Sequence, residues 1–319
     1  MKHIFIVNPA AGKGSAAKRI IPEIEAYFEK HKDLSWEIYQ TKAPDDGKMY
    51  AETVAKTGEA VRFYACGGDG TLYEVVNGAY KYSNAAVGII PLGSGNDFAR
   101  VFGGSEKLFD IDAQVNGETV PFDLIEAGGH VAINQCSMGL DAEVCAKQAY
   151  FKKLPGVGGE FAYTLALFYC LFRRLKSEFK VVIDDKETYE GTMLFSLCAN
   201  GRWYGGGYKG APKAVPNDGL LDFVMVRKTV GRLKLVGLVG QYKRGEHLDW
   251  DFTTYVRGKK MQIFSKKPAA VNVDGECEYV EESTFRILEG VLPVIVPDMA
   301  AYRNTVGEPE PETETALLK

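Results

Sequence analysis

The stretch Cys66-Gly67-Gly68-Asp69-Gly70-Thr71 stands between an apolar run, Ala60 to Ala65, and a segment of helical character, Leu72 to Gly78. This order is that of a strand, a glycine turn and the start of a helix. Three glycines in four positions let the backbone approach a bulky ligand and turn its N–H groups toward an anion, which a helix N-terminus also attracts. The stretch therefore predicts a phosphate-binding loop.

Asp69 is the one carboxylate of this loop, and it would repel a bare phosphate. A metal ion or a polarised hydroxyl beside the phosphate chain explains the residue better. The alternative is an ordinary glycine turn with an aspartate cap, which is common at strand ends. Both interpretations stay open on this loop alone.

Strands and helices alternate around the loop up to about Asp123. Helices of this length between strands predict a mostly parallel sheet with flanking helices, and ligands bind such sheets at the carboxyl ends of the strands. The predicted strands are Ile4 to Val7, Ser35 to Gln40, Val61 to Ala65 and Val87 to Pro91, and the predicted helices are Ser15 to Lys30, Asp45 to Lys56 and Tyr73 to Tyr82.

After about Asp123 the pattern changes to runs of period two, such as residues 180–184, 193–198 and 221–226. Glycine, aspartate and asparagine turns separate these runs. Such runs predict strands with one buried face, so the second half of the chain should form a β-rich domain.

The composition describes a soluble chain of two ordinary domains, with 319 residues, 46% of them hydrophobic and 25% charged. The six cysteines include no CxxC pair, which favours reduced thiols and a cytoplasmic protein. Residues 1–3 lead directly into a short strand, so we expect no signal peptide.

Most of the formal net charge of −4 comes from residues 307–319, where four glutamates and one lysine give −3 and leave −1 for the rest. This acidic tail predicts disorder. No basic run is longer than Arg257-Gly258-Lys259-Lys260, which argues against a nucleic-acid partner.

The longest apolar stretch runs from Phe161 to Phe172, twelve residues, and a bilayer span needs about 20. We expect a buried core helix, since a helix that is apolar all round usually lies in a core. The alternative is a helix at a lipid surface, with Lys152, Lys153, Arg173 and Arg174 attracting anionic headgroups.

Two further loops in the first half also follow predicted strands. Asn8-Pro9-Ala10-Ala11-Gly12-Lys13-Gly14 could offer N–H groups and an ammonium to phosphate, although Val7 stands where a Walker A loop needs glycine. Pro91 to Arg100, PLGSGNDFAR, presents the Ser94 hydroxyl and the Asp97 carboxylate. It is not a dinucleotide fingerprint, because Phe98 occupies the position of the third glycine.

A third loop, Val271-Asn272-Val273-Asp274-Gly275-Glu276, places two carboxylates on a turn in the second half. Neighbouring carboxylates push one pKa upward, so one can act as a base while the other holds metal or water. Several such loops at strand ends favour a ligand site over isolated turns.

In this order, the Asn-Pro-x-x-Gly loop, GGDGT, PLGSGNDFAR and Asp-Gly-Glu resemble the motifs of the soluble lipid kinases related to diacylglycerol kinase and sphingosine kinase. The resemblance covers about residues 1–305, with Ser94 where many relatives carry threonine. It implies an ATP-binding α/β domain over residues 1–123, to which residues 291–305 return. A β-sandwich domain over residues 124–290 and the tail 307–319 complete the expected organisation.

The resemblance also implies roles for individual residues. Glu276 would accept the proton of the lipid hydroxyl, with Asp274 beside it, and Asp69 would belong to the catalytic group. The implied ATP contacts are Asn8, Pro9, Ala10, Ala11, Gly12, Thr41, Gly67, Gly68, Asp69, Gly70, Thr71, Leu72, Tyr73, Glu74 and Ser94. An implied Mg²⁺ site consists of Asp218 and the backbone carbonyls of Val215 and Leu220, linked by water to Asp69, Asp97 and Asp123.

The expected activity is an ATP-dependent, Mg²⁺-requiring phosphorylation of a lipid hydroxyl, with diacylglycerol converted to phosphatidic acid. The protein should be cytoplasmic, without a transmembrane segment, and peripheral at the inner face of the membrane. A homodimer is among the oligomeric states left open. Two alternatives are an NAD kinase, which shares the GGDGT loop, and an inactive nucleotide- or lipid-binding regulator.

Overall fold

The computed structural model describes residues 1–151, 154, 157, 159–172, 177–227 and 231–307. The described chain forms two compact units, an N-terminal unit of Met1–Leu124 with Glu289–Gly307 and a C-terminal unit that contains Ile125–Leu288. Residues outside the described part include Lys152, Lys153, Arg173 and Arg174 beside the apolar stretch, and residues 308–319 of the expected acidic tail.

The regular elements of the described residues are numbered here in chain order. The strands are β1 (Lys2–Val7), β2 (Ser35–Gln40), β3 (Val61–Gly67), β4 (Ala85–Pro91), β5 (Glu118–Ala127), β6 (His130–Ala132), β7 (Gln135–Gly139), β8 (Ser177–Ile183), β9 (Glu187–Ala199), β10 (Leu221–Arg227), β11 (Thr253–Gly258), β12 (Lys260–Val273) and β13 (Glu276–Val296). The α-helices are α1 (Ala16–Lys30), α2 (Asp46–Ala55), α3 (Asp69–Ala79), α4 (Ile111–Asn116), α5 (Leu140–Phe151), α6 (Gly159–Leu171), α7 (Arg232–Arg244) and α8 (Met299–Val306).

The N-terminal unit has the alternating strands and helices that the sequence predicts. Its parallel strands lie in the order β4, β3, β1, β2, and Val294 near the end of β13 pairs in parallel with Val87 of β4. Strands buried on both faces read as continuous apolar runs, and β1 is buried from its second residue onward. Phe5 of β1 stacks on Tyr64 of β3 with ring centroids 4.4 Å apart, and Phe28 of α1 packs against Phe5.

Helix α3 begins four residues earlier than predicted, at Asp69 rather than at Tyr73. Gly68 is extended, with φ −99° and ψ −168°, and the chain becomes helical at the next residue. The sequence predicts a glycine turn at Gly70, but the structure places this residue in the first helical turn. The helix N-terminus therefore lies inside the glycine loop. The N–H groups of Thr71 and Leu72 donate to the carbonyl of Gly68 at 3.0 and 3.1 Å, and those of Asp69 and Gly70 stand before them at the position where a helix leaves its N–H groups without an intrahelical partner.

The C-terminal unit is built on an antiparallel sheet with the strand order β11, β10, β9, β7, β12, β13. Strand β8 also lies between β9 and β12 and pairs with other residues of the same two strands. The period-two runs predicted at residues 180–184, 193–198 and 221–226 fall in β8, β9 and β10, except that Asp184 lies one residue beyond the end of β8. The β-rich character of this half is therefore confirmed.

Helix α6 contains the apolar stretch, and the expectation of a fully buried core helix is wrong for one of its faces. Tyr163, Ala166 and Leu171 pack into the core of the C-terminal unit. Phe161 and Tyr169 are exposed. Within the described chain, no helix has the length and hydropathy that crossing a bilayer requires.

His247 is fully buried in the C-terminal unit, where its Nε2 lies 3.0 Å from the carbonyl oxygen of Gly210. Burial lowers the pKa of His247 from 6.5 to about 4. The unfolded chain therefore binds a proton that the folded protein excludes, so stability is complete above pH 6.5 and falls as the pH drops toward 4.

We predict that His247→Gln reduces the loss of stability between pH 6.5 and 4 by up to about 3 kcal/mol in the free energy of unfolding. The reason is that a shift of one pKa unit corresponds to about 1.4 kcal/mol. Urea unfolding of the wild type and the variant at pH 7, 5.5 and 4.5 measures this difference in the free energy of unfolding. His130→Gln, at an exposed position, is the matched control and should follow the wild type. Parallel loss of stability in all three proteins would contradict the prediction.

Candidate active site

Two glycine loops of the N-terminal unit touch through their backbones. The carbonyl oxygen of Gly67 accepts the N–H groups of Leu92 at 2.7 Å and Gly93 at 3.1 Å. A Cβ atom on Gly93 would lie 2.4 Å from the Cα atom of Gly68, so position 93 has no room for a side chain. The loops after β3 and β4 therefore form one surface, as expected for neighbouring parallel strands.

Asp69, the first residue of α3, joins these loops through its carboxylate. Its Oδ1 accepts the N–H groups of Asp97 at 2.8 Å and Phe98 at 3.4 Å. A Cβ atom on Gly95 would lie 2.8 Å from Oδ2 of Asp69. Glycine at position 95 therefore leaves the space beside the carboxylate open.

The Asp69–Asp97 pair brings two acidic side chains close together, so that each affects the charge of the other. Burial raises the pKa of Asp69 to about 6, and the charge of Asp97 adds to the rise. Asp97 is 6% exposed, and its Oδ1 lies 3.3 Å from Nε of Arg100. Two neighbouring carboxylates beside one half-exposed arginine favour the binding of a further cation.

Mg²⁺ suits this pair, because proteins often bind it through one or two carboxylates together with the phosphates of a substrate. The described residues include no group of three or more His, Cys, Asp or Glu side chains that could hold a metal ion by themselves. Asp69 and Asp97 supply two carboxylates, a number of protein ligands that suits an ion shared with a phosphate.

The loop after β1 is tied to the same helix. Nδ2 of Asn8 donates to Oγ1 of Thr71 at 3.2 Å, and the N–H of Ala10 donates to Oδ1 of Asn8 at 2.9 Å. Gly12 and Lys13 follow with φ angles of 58° and 57°. A lysine in this left-handed conformation is uncommon, and such backbone can turn N–H groups toward an anion.

The other predicted nucleotide contacts lie partly on loops and partly inside helix α3. Ser94 is exposed on its loop, and Thr41 follows β2, with its N–H donating to the carbonyl of Val7 at 3.0 Å. The side chains of Leu72 and Tyr73 are buried. If these two residues contact a nucleotide, they do so through their backbone.

Glu74 has a partner that the sequence did not reveal. Its carboxylate accepts the N–H groups of Asp45 at 3.0 Å and Gly47 at 2.9 Å, at the start of α2. Acceptors at a helix N-terminus satisfy N–H groups that the helix leaves unpaired. Glu74 therefore holds α2 against α3, and a nucleotide contact would be a second role.

Asn96 is a residue of the site that sequence reasoning missed. Its side chain accepts the N–H of Gly93 at 3.0 Å and donates to the carbonyl of Gly93 at 2.9 Å, which fixes the loop. Its φ angle is 52°, and asparagine is one of the few residues that tolerate this region. An asparagine directly after Gly-Ser-Gly was the available signal.

Asp123, the third carboxylate of the implied water-linked set, lies on β5 and is buried. Its Oδ1 accepts the N–H of Gly290 at 2.7 Å. This bond fixes the chain where β13 enters the N-terminal unit, so Asp123 has a structural role here.

The C-terminal unit presents the predicted carboxylate turn. Val273 and Glu276 pair across a two-residue hairpin between β12 and β13, and the turn residues Asp274 and Gly275 have φ angles of 48° and 108°. Asp-Gly favours such a turn, because both positions need positive φ. Oδ1 of Asn272 accepts the N–H of Gly275 at 2.8 Å and closes the turn.

The two carboxylates of this turn have different surroundings. Asp274 accepts three backbone N–H groups, from Ile133 at 2.7 Å, Asn134 at 3.1 Å and Gln135 at 2.7 Å. Glu276 is exposed. Asp274 is therefore an anchor of the turn, and the geometry favours Glu276 as the group that can reach a substrate.

Comparison with known proteins identifies the family. Residues 2–127 match the model of the diacylglycerol kinase catalytic domain, and residues 134–296 match the model of the YegS C-terminal NAD kinase beta sandwich-like domain. The second match covers half of the chain, and the two matches together span most of it. The chain belongs to the diacylglycerol kinase family. As a member, it is a lipid kinase, a phosphotransferase.

Individual relatives agree with this membership. A diacylglycerol kinase from Staphylococcus epidermidis is 29% identical over 295 residues, which cover 92% of this chain and 91% of that protein. The enzyme of that name from Bacillus subtilis strain 168 is 27% identical over 296 residues, with coverage of 92% and 95%. The crystal structure of a diacylglycerol kinase from Bacillus anthracis str. Sterne shares the fold, with a TM-score of 0.67 at 21% identity and coverage of 94% and 98%.

The family resemblance implies a Mg²⁺ site at Val215, Asp218 and Leu220. In the structure, the guanidinium of Arg257 already pairs with the carboxylate of this site. Asp218 pairs with the guanidinium of Arg257, and its Oδ1 accepts the N–H of Leu220 at 3.1 Å. Burial raises the pKa of Asp218, and Arg257 offsets part of that rise. Asp218 thus has a cationic partner in this structure, and the magnesium site at these three residues stays a prediction.

We predict that Asp274→Asn lowers the free energy of unfolding by about 3 kcal/mol, because hydrogen bonds to a charged acceptor contribute about 1.5–3 kcal/mol each. The asparagine retains one acceptor oxygen and turns an NH₂ group toward N–H donors. Glu276→Gln, two residues away and exposed, should change stability by less than about 0.5 kcal/mol. Equal losses in urea unfolding of the two variants would refute the distinction.

Proposed function

We propose that this family member transfers the γ-phosphoryl group of ATP to the hydroxyl of diacylglycerol and forms phosphatidic acid. The Asp69–Asp97 pair, which joins the first residue of α3 to the glycine loop after β4, is the observation that carries the proposal. The names of the curated relatives support diacylglycerol as the acceptor. The N-terminal unit would bind the nucleotide, and the C-terminal unit would supply the base and bind lipid.

Nucleotide binding would rest on backbone donors. The N–H groups of the first turn of α3 and of the loop from Asn8 to Gly12 would hold phosphate oxygens, and Ser94 would add a hydroxyl. These loops are already fixed by the bonds of Gly67, Asn8 and Asn96, so little conformational freedom is lost on binding.

Asp69 and Asp97 would hold Mg²⁺ together with the phosphates. When bound, the ion neutralises negative charge on the phosphoryl group during transfer. The chain itself supplies two fixed carboxylates, of which Asp69 is oriented by the N–H groups of Asp97 and Phe98.

Glu276 would act as the general base. The acceptor oxygen forms a bond to the γ-phosphorus, the bond from that phosphorus to the β–γ bridging oxygen breaks, and ADP leaves. The hydroxyl proton passes to the Glu276 carboxylate, an effect that contributes about 10²- to 10⁴-fold. Asp274 keeps the turn in place and is a positioning residue.

The protein would work in the cytoplasm at the inner face of the membrane, where its acceptor is dissolved. NAD is the second candidate acceptor, since the matched family model of the C-terminal half is described as NAD kinase-like. The Asn8-Pro9 loop and the PLGSGNDFAR segment favour the lipid.

The test is transfer of labelled γ-phosphate from ATP with Mg²⁺ to diacylglycerol, ceramide, sphingosine or phosphatidylglycerol in mixed micelles, or to NAD in solution. We predict label on diacylglycerol, a loss of at least about 100-fold in kcat for Asp69→Asn and of about 10²- to 10⁴-fold for Glu276→Gln. Arg100→Lys, with its charge kept, is the control for substitutions near the pair.

Label on NAD alone would identify NAD, rather than a lipid, as the acceptor and contradict the proposal. Binding of ATP without transfer to any acceptor would support a regulator and contradict the proposal. Normal turnover of Asp69→Asn would remove the Asp69–Asp97 pair from the mechanism.

A further inference from the structure

Two of the six cysteines are accessible to a reagent in solution, namely Cys145 on α5 and Cys277 on β13, which are partly exposed. The other four are buried, and burial raises the pKa of each: Cys66, Cys136, Cys170 and Cys198. A thiol reacts with oxidants as its thiolate, so a buried thiol with a raised pKa is unreactive in the folded protein. Thiol chemistry in the folded protein therefore belongs to Cys145 and Cys277.

The thiols of Cys145 and Cys277 meet at one backbone oxygen, the carbonyl of Gly275. Sγ of Cys145 lies 3.6 Å from this oxygen and Sγ of Cys277 lies 3.7 Å from it, so the sulfur atoms are at most the sum of these distances, 7.3 Å, apart. We name Cys145 and Cys277 the thiol pair. The pair lies at the hairpin turn that also carries Glu276.

Helix α5 lies directly against the start of β13, which holds the thiol pair in place. Sγ of Cys277 is 3.9 Å from the carbonyl oxygen of Ala142, three residues before Cys145 on the helix. Residues three apart share a helix face, so the Cys277 thiol approaches the face that carries Cys145. The hydroxyl of Tyr279 donates to Oε2 of Glu143 at 2.9 Å and ties the same two segments together.

The separation within the thiol pair is one that side-chain rotation can close. A disulfide requires the sulfur atoms to approach to about 2.05 Å. Rotation of a cysteine side chain between staggered positions moves its sulfur by up to about 3 Å, so rotation of both side chains is of the size that the gap requires. Gly275, between the two segments, is exposed and has no side chain to obstruct this approach.

A bond within the thiol pair would restrain the residue next to Glu276. Cys277 follows Glu276 directly on β13, and the bond would attach it to a helix that begins more than 130 residues earlier in the chain. Transfer of a phosphoryl group depends on the exact position of the base, and a displacement of about 1 Å can cost about 10²-fold in rate. The oxidised protein should therefore be the less active form.

We propose that Cys145 and Cys277 are a peroxide-sensitive switch, whose disulfide ties α5 to the turn of Glu276 and lowers phosphoryl transfer. The inference rests on the proposed function, in which Glu276 is the general base. It concerns two residues that the mechanism itself does not use.

Hydrogen peroxide is the oxidant of the proposed reaction. One thiolate of the pair attacks a peroxide oxygen, the O–O bond breaks, and a sulfenic acid and hydroxide form. The other thiolate attacks the sulfenic sulfur, an S–S bond forms, the S–O bond breaks, and the oxygen leaves as hydroxide. The two protons released by the thiols convert both hydroxides to water. One disulfide and two waters thus arise from two thiols and one peroxide, with two electrons passing from sulfur to oxygen, and a dithiol reductant reverses the change.

The first experiment treats the reduced full chain with hydrogen peroxide and counts the remaining thiols under denaturing conditions. We expect the count to fall from six to four, and peptide mass spectrometry to find Cys145 joined to Cys277 within one chain. A link between Cys136 and Cys198, which face each other on β7 and β9, would overturn the proposal. Separate oxidation of Cys145 and Cys277 to sulfinic acids, or a link between two chains, would also overturn it.

The second experiment measures transfer from ATP to diacylglycerol before and after oxidation. We expect the oxidised wild type to lose at least about tenfold in kcat, with recovery in dithiothreitol. Cys145→Ser should keep the turnover of the reduced wild type and lose the response to peroxide. Cys170→Ser, which removes a buried thiol and leaves the pair intact, is the matched control and should respond as the wild type does.

The two experiments separate failure of the switch from failure of the kinase assignment. Formation of the Cys145–Cys277 disulfide with unchanged turnover would overturn the switch and leave the kinase proposal standing. The same loss of turnover in oxidised Cys145→Ser would also overturn it, since the loss would then arise from another residue. If even the reduced wild type transfers phosphate to no acceptor, the proposed function fails and the switch fails with it, whereas the thiol count and the peptide masses still show whether the pair forms a bond.

Discussion

The backbone contact between Gly67 and the loop at Leu92 and Gly93 is the constraint on which the N-terminal site depends. Two neighbouring strands can bring their loops this close only where glycines replace side chains, and a Cβ atom at Gly93 would strike Gly68. The close approach lets the Asp69 carboxylate reach the N–H groups of the other loop. The orientation of Asp69 and its proximity to Asp97 both follow from this contact.

The aspartates predicted to belong to the site thus divide into two physical kinds. Asp274 and Asp123 are satisfied by backbone N–H groups and hold chain segments in place. Asp69 and Asp97 repel each other, and burial raises the pKa of Asp69, so this pair gains most from a bound cation. Asp69 also accepts backbone N–H groups, so what distinguishes it from Asp274 and Asp123 is the neighbouring Asp97 carboxylate, and a perturbed carboxylate pair of this kind is a candidate for ligand binding.

Local pattern was enough to predict β1 to β4 and helices α1 and α2, because each is a continuous apolar or amphipathic run bounded by turn residues. It failed for α5, whose apolar residues are not gathered on one side, and for the start of α3 inside a glycine turn. The partners of Asp274 are 139 to 141 residues away in the sequence and those of Glu74 are 27 and 29 away, so their roles depend on tertiary contacts that no local pattern contains.

The central claim is that the Asp69–Asp97 pair binds a cation together with the nucleotide. Isothermal titration calorimetry of the wild type and of Asp97→Asn with a non-hydrolysable ATP analogue, in Mg²⁺ and in EDTA, tests it most directly. The account predicts that Mg²⁺ tightens binding to the wild type at least about tenfold and that Asp97→Asn loses most of this difference. Equal affinity of the wild type in Mg²⁺ and in EDTA would contradict it.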